Sequence, residues 1–232
     1  MLQSVLDFHN ARADLVIVTN ERHAAYVAAL GGRAYICPDP LPDLGTRTAT
    51  VPVPDKAAFL VCSFEQDEPF EEVFRAFSGL QHYTLFVSGR YARAGIDPAR
   101  FPWVRFLGYV SEQEYYAYLI SCAVIVDLTK LEDCLLCGAY EALAARKPLL
   151  ISNTKALASY FGAAAVLTEN SAEQIAANVQ RTYAQRSELA QKANQWAVGN
   201  EEYMAERVAA LKQALRSFNV RLEGAQKKSV AS

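Results

Sequence analysis

The chain has 232 residues, 52% of them hydrophobic and 21% charged, with a formal net charge of −2. This is the make-up of an ordinary globular protein, long enough for one large domain or one and a half small ones. The near-balance of charge gives no electrostatic reason to expect nucleic acid or an anionic membrane as partner. No apolar run reaches the ~18 residues that a transmembrane segment needs.

The start, MLQSVLDFHNARAD, carries acids and has neither a basic leader nor an apolar core, so it does not read as a signal peptide. The five cysteines are Cys37, Cys62, Cys122, Cys134 and Cys137, four of them in or beside apolar segments. An odd count without a secretory signal points to reduced core cysteines and a cytoplasmic location.

Strands and helices then alternate. LVIVT (15–19) reads as a strand buried on both faces, and the helix after it has Asn20 as N-cap and Gly31-Gly32 as stop. RAYIC (33–37) is the next strand, followed by PDPLPDLGTRTATVPVPD, an extended linker rich in turn formers. The alternation resumes with a strand at 57–63, a helix at 69–80 with Pro69 near its start, and strands at 83–89 and 104–108. Ser111 and Glu114 form a capping box for a helix at 111–123. Next come a strand at 124–129, a helix at 138–147, a strand at 148–152, the segment TKALASYFG and a strand at 164–169. A long helical region spans roughly 171 to 218, and the end of the chain, from about 221, reads as a disordered tail.

Such alternation with doubly buried strands predicts an α/β fold, a doubly wound parallel sheet with right-handed crossovers. Ligands of such sheets sit outside the carboxyl ends of the strands, which singles out the loops 62–69, 88–98, 108–112 and 129–138. The last of these feeds a helix whose first amides are unpaired and whose dipole favours anions. Gly138 has no side chain, so an anion could approach those amides closely. Glu141 stands three residues on, either capping the helix or offering two acceptors to hydroxyls, and Asp133 lies eight residues before it. Amides for phosphate and carboxylates for vicinal hydroxyls would suit a phosphorylated, polyhydroxylated ligand; the alternative is a satisfied first turn and a solvated Asp133.

Arg90 and Arg93, at the end of a strand, and Lys130, ahead of the acids, could face a phosphate or be solvated. Cys134 and Cys137 make a C-x-x-C at a helix start, where a thiolate is stabilised. A zinc site would need two further ligands, and none of His9, His23 and His82 is near in sequence. The pair reads as two small residues beside a ligand loop, with a redox function as the competing reading. No G-x-G-x-x-G, P-loop or G-x-S-x-G occurs.

The run VRFLGYVSEQEYYAYLISCAVIVDLT, then ED, then GAYEALAARKPLLIS resembles the donor-binding domain of retaining GT-B glycosyltransferases of the large group-1 family. That family carries a strand ending in Phe-x-Gly and an E-x7-E motif within E-G-F-G-x-x-x-x-E-A-x-A-x-G-x-P. Glu141-Ala142 matches the second acid and its Ala, Lys147-Pro148 approximates the G-x-P edge, and the first acid is Asp133, giving D-x7-E. The resemblance covers roughly 55 to 200.

The resemblance implies a Rossmann-like domain that binds a nucleoside-diphosphate sugar and serves hexose transfer with retention, without metal or other cofactor. Glu141 would bind the ribose hydroxyls and Asp133 the donor sugar, the two being the catalytic pair. Cys137 and Gly138 would lend amides to the diphosphate or sugar, Gly108, Tyr109 and Val110 would lie against the base, and Ser63, Arg90 and Lys130 would complete the donor site. Residues 1–50 resemble a remnant of the family's acceptor domain with its linker, 51–195 the nucleotide-sugar domain, 196–220 a helix crossing back, and 221–232 the tail. The remnant is expected to pack on residues 196–218, and the missing part of the acceptor domain would come from a partner chain or be replaced by a second copy. Two departures stand out: the place where the family puts Arg and Lys reads CSFEQDEP (62–69), which is acidic, and most of an acceptor domain is absent. The competing function is a non-catalytic nucleotide-binding or partner-interaction subunit.

Overall fold

The computed structural model describes residues 2–45, 47 and 49–230, the side chains of residue 2 and of residues 217–230 excepted. The elements are α1 (Leu2–Arg12), β1 (Val16–Val18), α2 (Glu21–Ala29), β2 (Ala34–Ile36), β3 (Ala57–Leu60), α3 (Phe70–Ser78), β4 (Thr84–Ser88) and β5 (Val104–Gly108). They continue with α4 (Glu112–Ser121), β6 (Val124–Asp127), α5 (Cys137–Ala144), β7 (Leu149–Ser152), α6 (Lys155–Phe161), β8 (Ala165–Thr168), α7 (Ala172–Ala184) and α8 (Arg186–Val230). The chain forms two compact units, one of residues 41–198, the other of the residues up to Pro40 with those from Gly199 onward.

The larger unit is a six-stranded parallel sheet in the order β5-β4-β3-β6-β7-β8. Its strands alternate between two cores, as a period of two requires. Ala58, Leu60, Val124 and Val126 face one way, onto Val73, Phe74 and Phe77 of α3 and Ile175 and Val179 of α7. Ala57, Phe59 and Ile125 face the other, onto Leu119 of α4, Leu143 of α5 and Leu157 and Phe161 of α6. Side-chain oxygens cap the helices: Ser111 accepts from Glu114 N at 3.2 Å, Thr154 from Leu157 N at 3.3 Å and Ser171 from Gln174 N at 3.3 Å.

This order has one switch point. From β3 the chain steps outward to β4 and β5, then returns to lay β6 against the other side of β3 and steps outward again to β7 and β8. The carboxyl ends of β3 and β6 therefore diverge into loops on either side of one crevice, where open α/β sheets receive ligands.

In the smaller unit β1 and β2 pair in parallel, Val16 opposite Ala34 and Val18 opposite Ile36, with α2 between them in sequence. Asn20 caps α2, accepting from His23 N at 3.0 Å. Tyr35 donates to Arg207 O at 2.6 Å, Arg207 Nε donates to Ile36 O at 2.8 Å, and the guanidinium lies 4.6 Å over the Tyr35 ring. The distal part of α8 is thus held to β2. Trp196, earlier on the same helix, belongs to the larger unit, donating to Tyr160 O at 3.1 Å.

The structure differs from the sequence-based expectations at several points. β1 is not buried on both faces: Ile17 is exposed, because a two-stranded sheet offers few neighbours. The linker from Leu41 on belongs to the larger unit: Leu41 and Val53 pack on its core, and Arg47 bridges to Glu112 at 2.7 Å. α1 was not anticipated, its apolar Val5, Leu6 and Phe8 being exposed rather than set on a buried stripe. Single-turn helices at Tyr91–Ala94 and Pro98–Arg100 lie in what read as loop. α8 runs on to Val230 through most of the expected tail, as helix extension adds a hydrogen bond for each residue fixed; residues 231 and 232 lie outside the described ones. Among the described residues no helix is long and apolar enough to cross a membrane.

Candidate functional site

The β3 side of the crevice is built by the loop 62–69. Phe64 there adopts φ 66°, a left-handed conformation that costs a side-chain-bearing residue ~1–2 kcal/mol. The turn directs the Ser63 and Glu65 amides to one point, taken by the Glu68 carboxylate. Ser63 N lies 3.0 and 3.1 Å from its two oxygens, Ser63 Oγ 3.0 Å from Oε1, Glu65 N 2.8 Å from Oε2, and the Cys62 thiol donates at 3.3 Å. The loop is tied across the crevice: Lys130 N donates to Asp67 O at 2.7 Å, Thr129 Oγ1 to Asp67 Oδ2 at 3.3 Å, and Lys130 Nζ to Gln66 O at 2.8 Å. Lys130 thus serves the loop's backbone.

The β6 side centres on Asp127, the last residue of the strand. It is buried, and its Oδ2 has no hydrogen-bond partner. Burial pushes its carboxyl up to about 8, helped by the charges of Glu68 and Glu141, while the amides of Ala139 and Gly138 at the start of α5 pull the other way. Gly138 is required because α5 meets the strand ends here. A Cβ on it would stand 2.6 Å from both Asp127 Oδ2 and Val61 Cγ1. The expected open approach of an anion to these amides is therefore replaced by an approach of the protein's own carboxyl group. Cys137 is the first, exposed residue of α5, whose N-cap Leu136 has no capping side chain.

Glu141 does not cap α5. Its carboxylate reaches to α4, where Tyr115 donates to Oε2 at 2.5 Å and Tyr116 to Oε1 at 3.3 Å. Burial raises its pKa and the two hydroxyls partly reverse that. Burial raises Tyr115 well above an ordinary phenol, and Tyr116 to about 12, the Glu141 charge adding in both. Both hydroxyls therefore keep their protons as donors.

Two cavities adjoin along this edge. One of about 670 Å³ is lined by Ser63, Phe64, Glu65, Gln66, Arg90, Arg93 and Tyr109; one of about 320 Å³ by Ser88, Tyr109, Val110, Tyr115, Tyr116 and Glu141. Gly89 and Tyr109 line both. Gly108, at φ 73°, turns the chain so that Tyr109 projects, 79% exposed, with the Arg90 guanidinium 5.0 Å over its ring.

Of the residues expected from sequence, Tyr109, Val110 and Glu141 come together at the smaller cavity, and Ser63 and Arg90 at the larger. Asp133 is half-buried in the loop before α5 and lines neither of these two. Its neighbour Glu132 accepts instead from Lys155 N at the start of α6, at 3.3 Å. The C-x-x-C does not present a reactive thiolate at Cys134, where burial and the Asp67 and Asp127 charges raise the thiol, and the two cysteines are not joined in a disulfide.

Sequence reasoning missed Tyr115, Tyr116, Glu68 and Asp127. Asp127 left a signal, an acid closing an otherwise apolar strand, and Glu68 lies in the loop that already stood out as acidic. The tyrosines meet Glu141 across 26 and 25 residues of chain, with no local pattern to betray it.

No protein-family model matches the chain, and no curated protein sequence does. Solved structures do. A sucrose-phosphate synthase from Thermosynechococcus elongatus superposes with a TM-score of 0.75 at 20% identity, over 92% of this chain and 61% of that one. HepE of Anabaena, in complex with UDP and glucose, gives 0.74 at 13% identity, over 93% of this chain and 66% of that one. An α,α-trehalose-phosphate synthase from Burkholderia vietnamiensis gives 0.70 at 13%, over 92% and 62%. The chain thus spans under two thirds of the length of these proteins. In fold it is like the GT-B glycosyltransferases: a Rossmann-like domain joined to a short strand–helix–strand.

Proposed function

We propose that this chain binds a nucleoside-diphosphate sugar and forms the donor half of a glycosyltransferase that moves a hexose with retention of configuration. The observation that carries this is Glu141, a half-buried carboxylate held by two tyrosine hydroxyls at a cavity beside the exposed ring of Tyr109. Ribose hydroxyls would exchange with those of Tyr115 and Tyr116 on Glu141, hydroxyl for hydroxyl, leaving no buried acceptor unpaired. The base would lie against Gly108, Tyr109 and Val110. The diphosphate would lie toward Ser63, Arg90 and the exposed Cys137 amide at the start of α5, and the sugar toward Asp133. Catalysis would then consist of positioning the sugar and stabilising the leaving diphosphate. The solved structures supply the fold, and among them HepE is found in complex with UDP and glucose and with UDP-glucose.

The acceptor half would come from further polypeptide, a partner chain or a second copy docking on the smaller unit, where Val5, Leu6, Phe8 and Ile17 stand exposed. Five cysteines, none in a disulfide, fit the cytoplasm as the place of work. The acidic loop 62–69, where a basic pair was expected, favours a second reading, a nucleotide-binding subunit without catalysis of its own.

Calorimetric titration with UDP, GDP and ADP tests the first reading. At least one should bind, and Glu141→Ala should abolish the binding, since each charge-assisted hydroxyl bond is worth ~1.5–3 kcal/mol. Equal affinity in the variant would remove Glu141 from the ribose. Radiolabelled sugar transfer, with and without an acceptor-domain chain, separates a catalytic half from a silent subunit.

A further inference from the structure

The loop after β3 contains a receptor for a small anion that is already filled. With Phe64 left-handed between them, the Ser63 and Glu65 amides converge on one carboxylate, as the amides of an anion-binding nest do. With Ser63 Oγ and the Cys62 thiol they give four donors, all on the Glu68 carboxylate. Ser63 and Glu65 are exposed, so water and solutes reach this carboxylate. The same two residues line the 670 Å³ cavity, and Arg90 and Arg93 line it too. Among the described residues neither arginine is paired with a carboxylate. Two cations without counter-ions and a nest holding a borrowed one share a single cavity.

We infer that the nest is a phosphate subsite and that Glu68 is its built-in, exchangeable occupant. A phosphoryl group of the ligand takes the four donors, Glu68 turns out to solvent, and Arg90 and Arg93 offset the added charge. No amide is stranded, because one anion replaces another. This also accounts for an acidic loop in a phosphate site: the acid substitutes for the ligand in its absence. Because the nest is open only when Glu68 has left, the apparent affinity for phosphate falls in proportion to the open fraction. The inference rests on the nucleoside-diphosphate reading above.

The test is calorimetric titration of wild type, Glu68→Ala and Glu68→Gln with inorganic pyrophosphate and with UDP, alongside thermal unfolding in pyrophosphate or acetate at matched ionic strength. Pyrophosphate should bind Glu68→Ala at least fivefold more tightly than wild type, with Glu68→Gln in between, since its amide keeps one acceptor oxygen. Pyrophosphate should also restore the melting temperature that Glu68→Ala loses. Should Glu68→Ala fail to fold, the gain in Glu68→Gln decides. Unchanged or weaker pyrophosphate binding in the variants, or rescue by acetate and not by pyrophosphate, overturns the inference. If UDP binds wild type in a Glu141-dependent way while the Glu68 variants gain nothing, only the role of Glu68 is wrong. If the variants gain pyrophosphate affinity while UDP binds no form of the protein, the subsite stands and the nucleotide reading falls.

Discussion

The tripeptide Val-Ile-Val occurs twice as a parallel strand, as β1 and as the start of β6. In β6 the isoleucine, Ile125, is 0% exposed; in β1 its counterpart Ile17 is 55% exposed. Propensity and hydrophobicity are identical, so the difference lies wholly in what surrounds each strand. β6 has β3 and β7 as neighbours and helices over both faces, whereas β1 pairs with β2 alone. Burial is thus a property of the sheet that a strand joins, and the same letters are core in one unit and surface in the other. The residue after each copy extends the contrast: half-buried Thr19 follows β1's Val-Ile-Val, and buried Asp127 closes β6.

The largest effect should come from truncating the two isoleucines. Ile125→Ala should cost ~2–5 kcal/mol of stability, the usual range for a buried Ile, and Ile17→Ala no more than ~0.5 kcal/mol, as at an exposed site. Urea unfolding measures both. A comparable cost at 17 would show the exposed strand covered in solution by a second copy or a partner.

Asp127 comes next. Its carboxyl is raised in the folded state to about 8, above the 3.8 of a free carboxyl. The folded protein therefore holds a proton that the unfolded chain releases. The stabilisation is complete below pH 3.8, declines as pH rises toward 8 and levels off above it, by up to ~1.4 kcal/mol for each pH unit crossed. Asp127→Asn removes this proton linkage. Melting temperatures measured from pH 5 to 8 should fall less steeply in the variant, and an unchanged slope would place the carboxyl's titration elsewhere.

The smallest effect should follow loss of the cysteine pair. Cys134→Ser with Cys137→Ser should leave nucleotide affinity and fold unchanged, as the absence of a disulfide between them implies. A low-potential disulfide whose removal abolished the only measurable activity would instead make the redox chemistry primary.

Most of the fold was legible because its signals are local. The caps at Asn20, Ser111, Thr154 and Ser171 act within three residues, and the apolar runs of β3, β6 and β7 need no long-range information to be strands. α1 escaped because its apolar residues do not mark a buried stripe, and the open face of β1 because its sequence is that of a core strand.

Local patterns along the chain suffice to show that strands and helices alternate, that a parallel doubly wound sheet results, and that Glu141 and the Tyr109 loop lie at its carboxyl edge. Whom these groups meet depends on the packing of distant elements. Glu141 takes hydroxyls from a helix two elements earlier, Gly138 makes room for Asp127 rather than for a ligand, and Glu68 fills the nest beside the arginines. The difference is one of range. Caps, periodicity and turn chemistry act between residues a few positions apart, while the contacts of a site at a switch point are made by strands whose neighbours the crossovers choose.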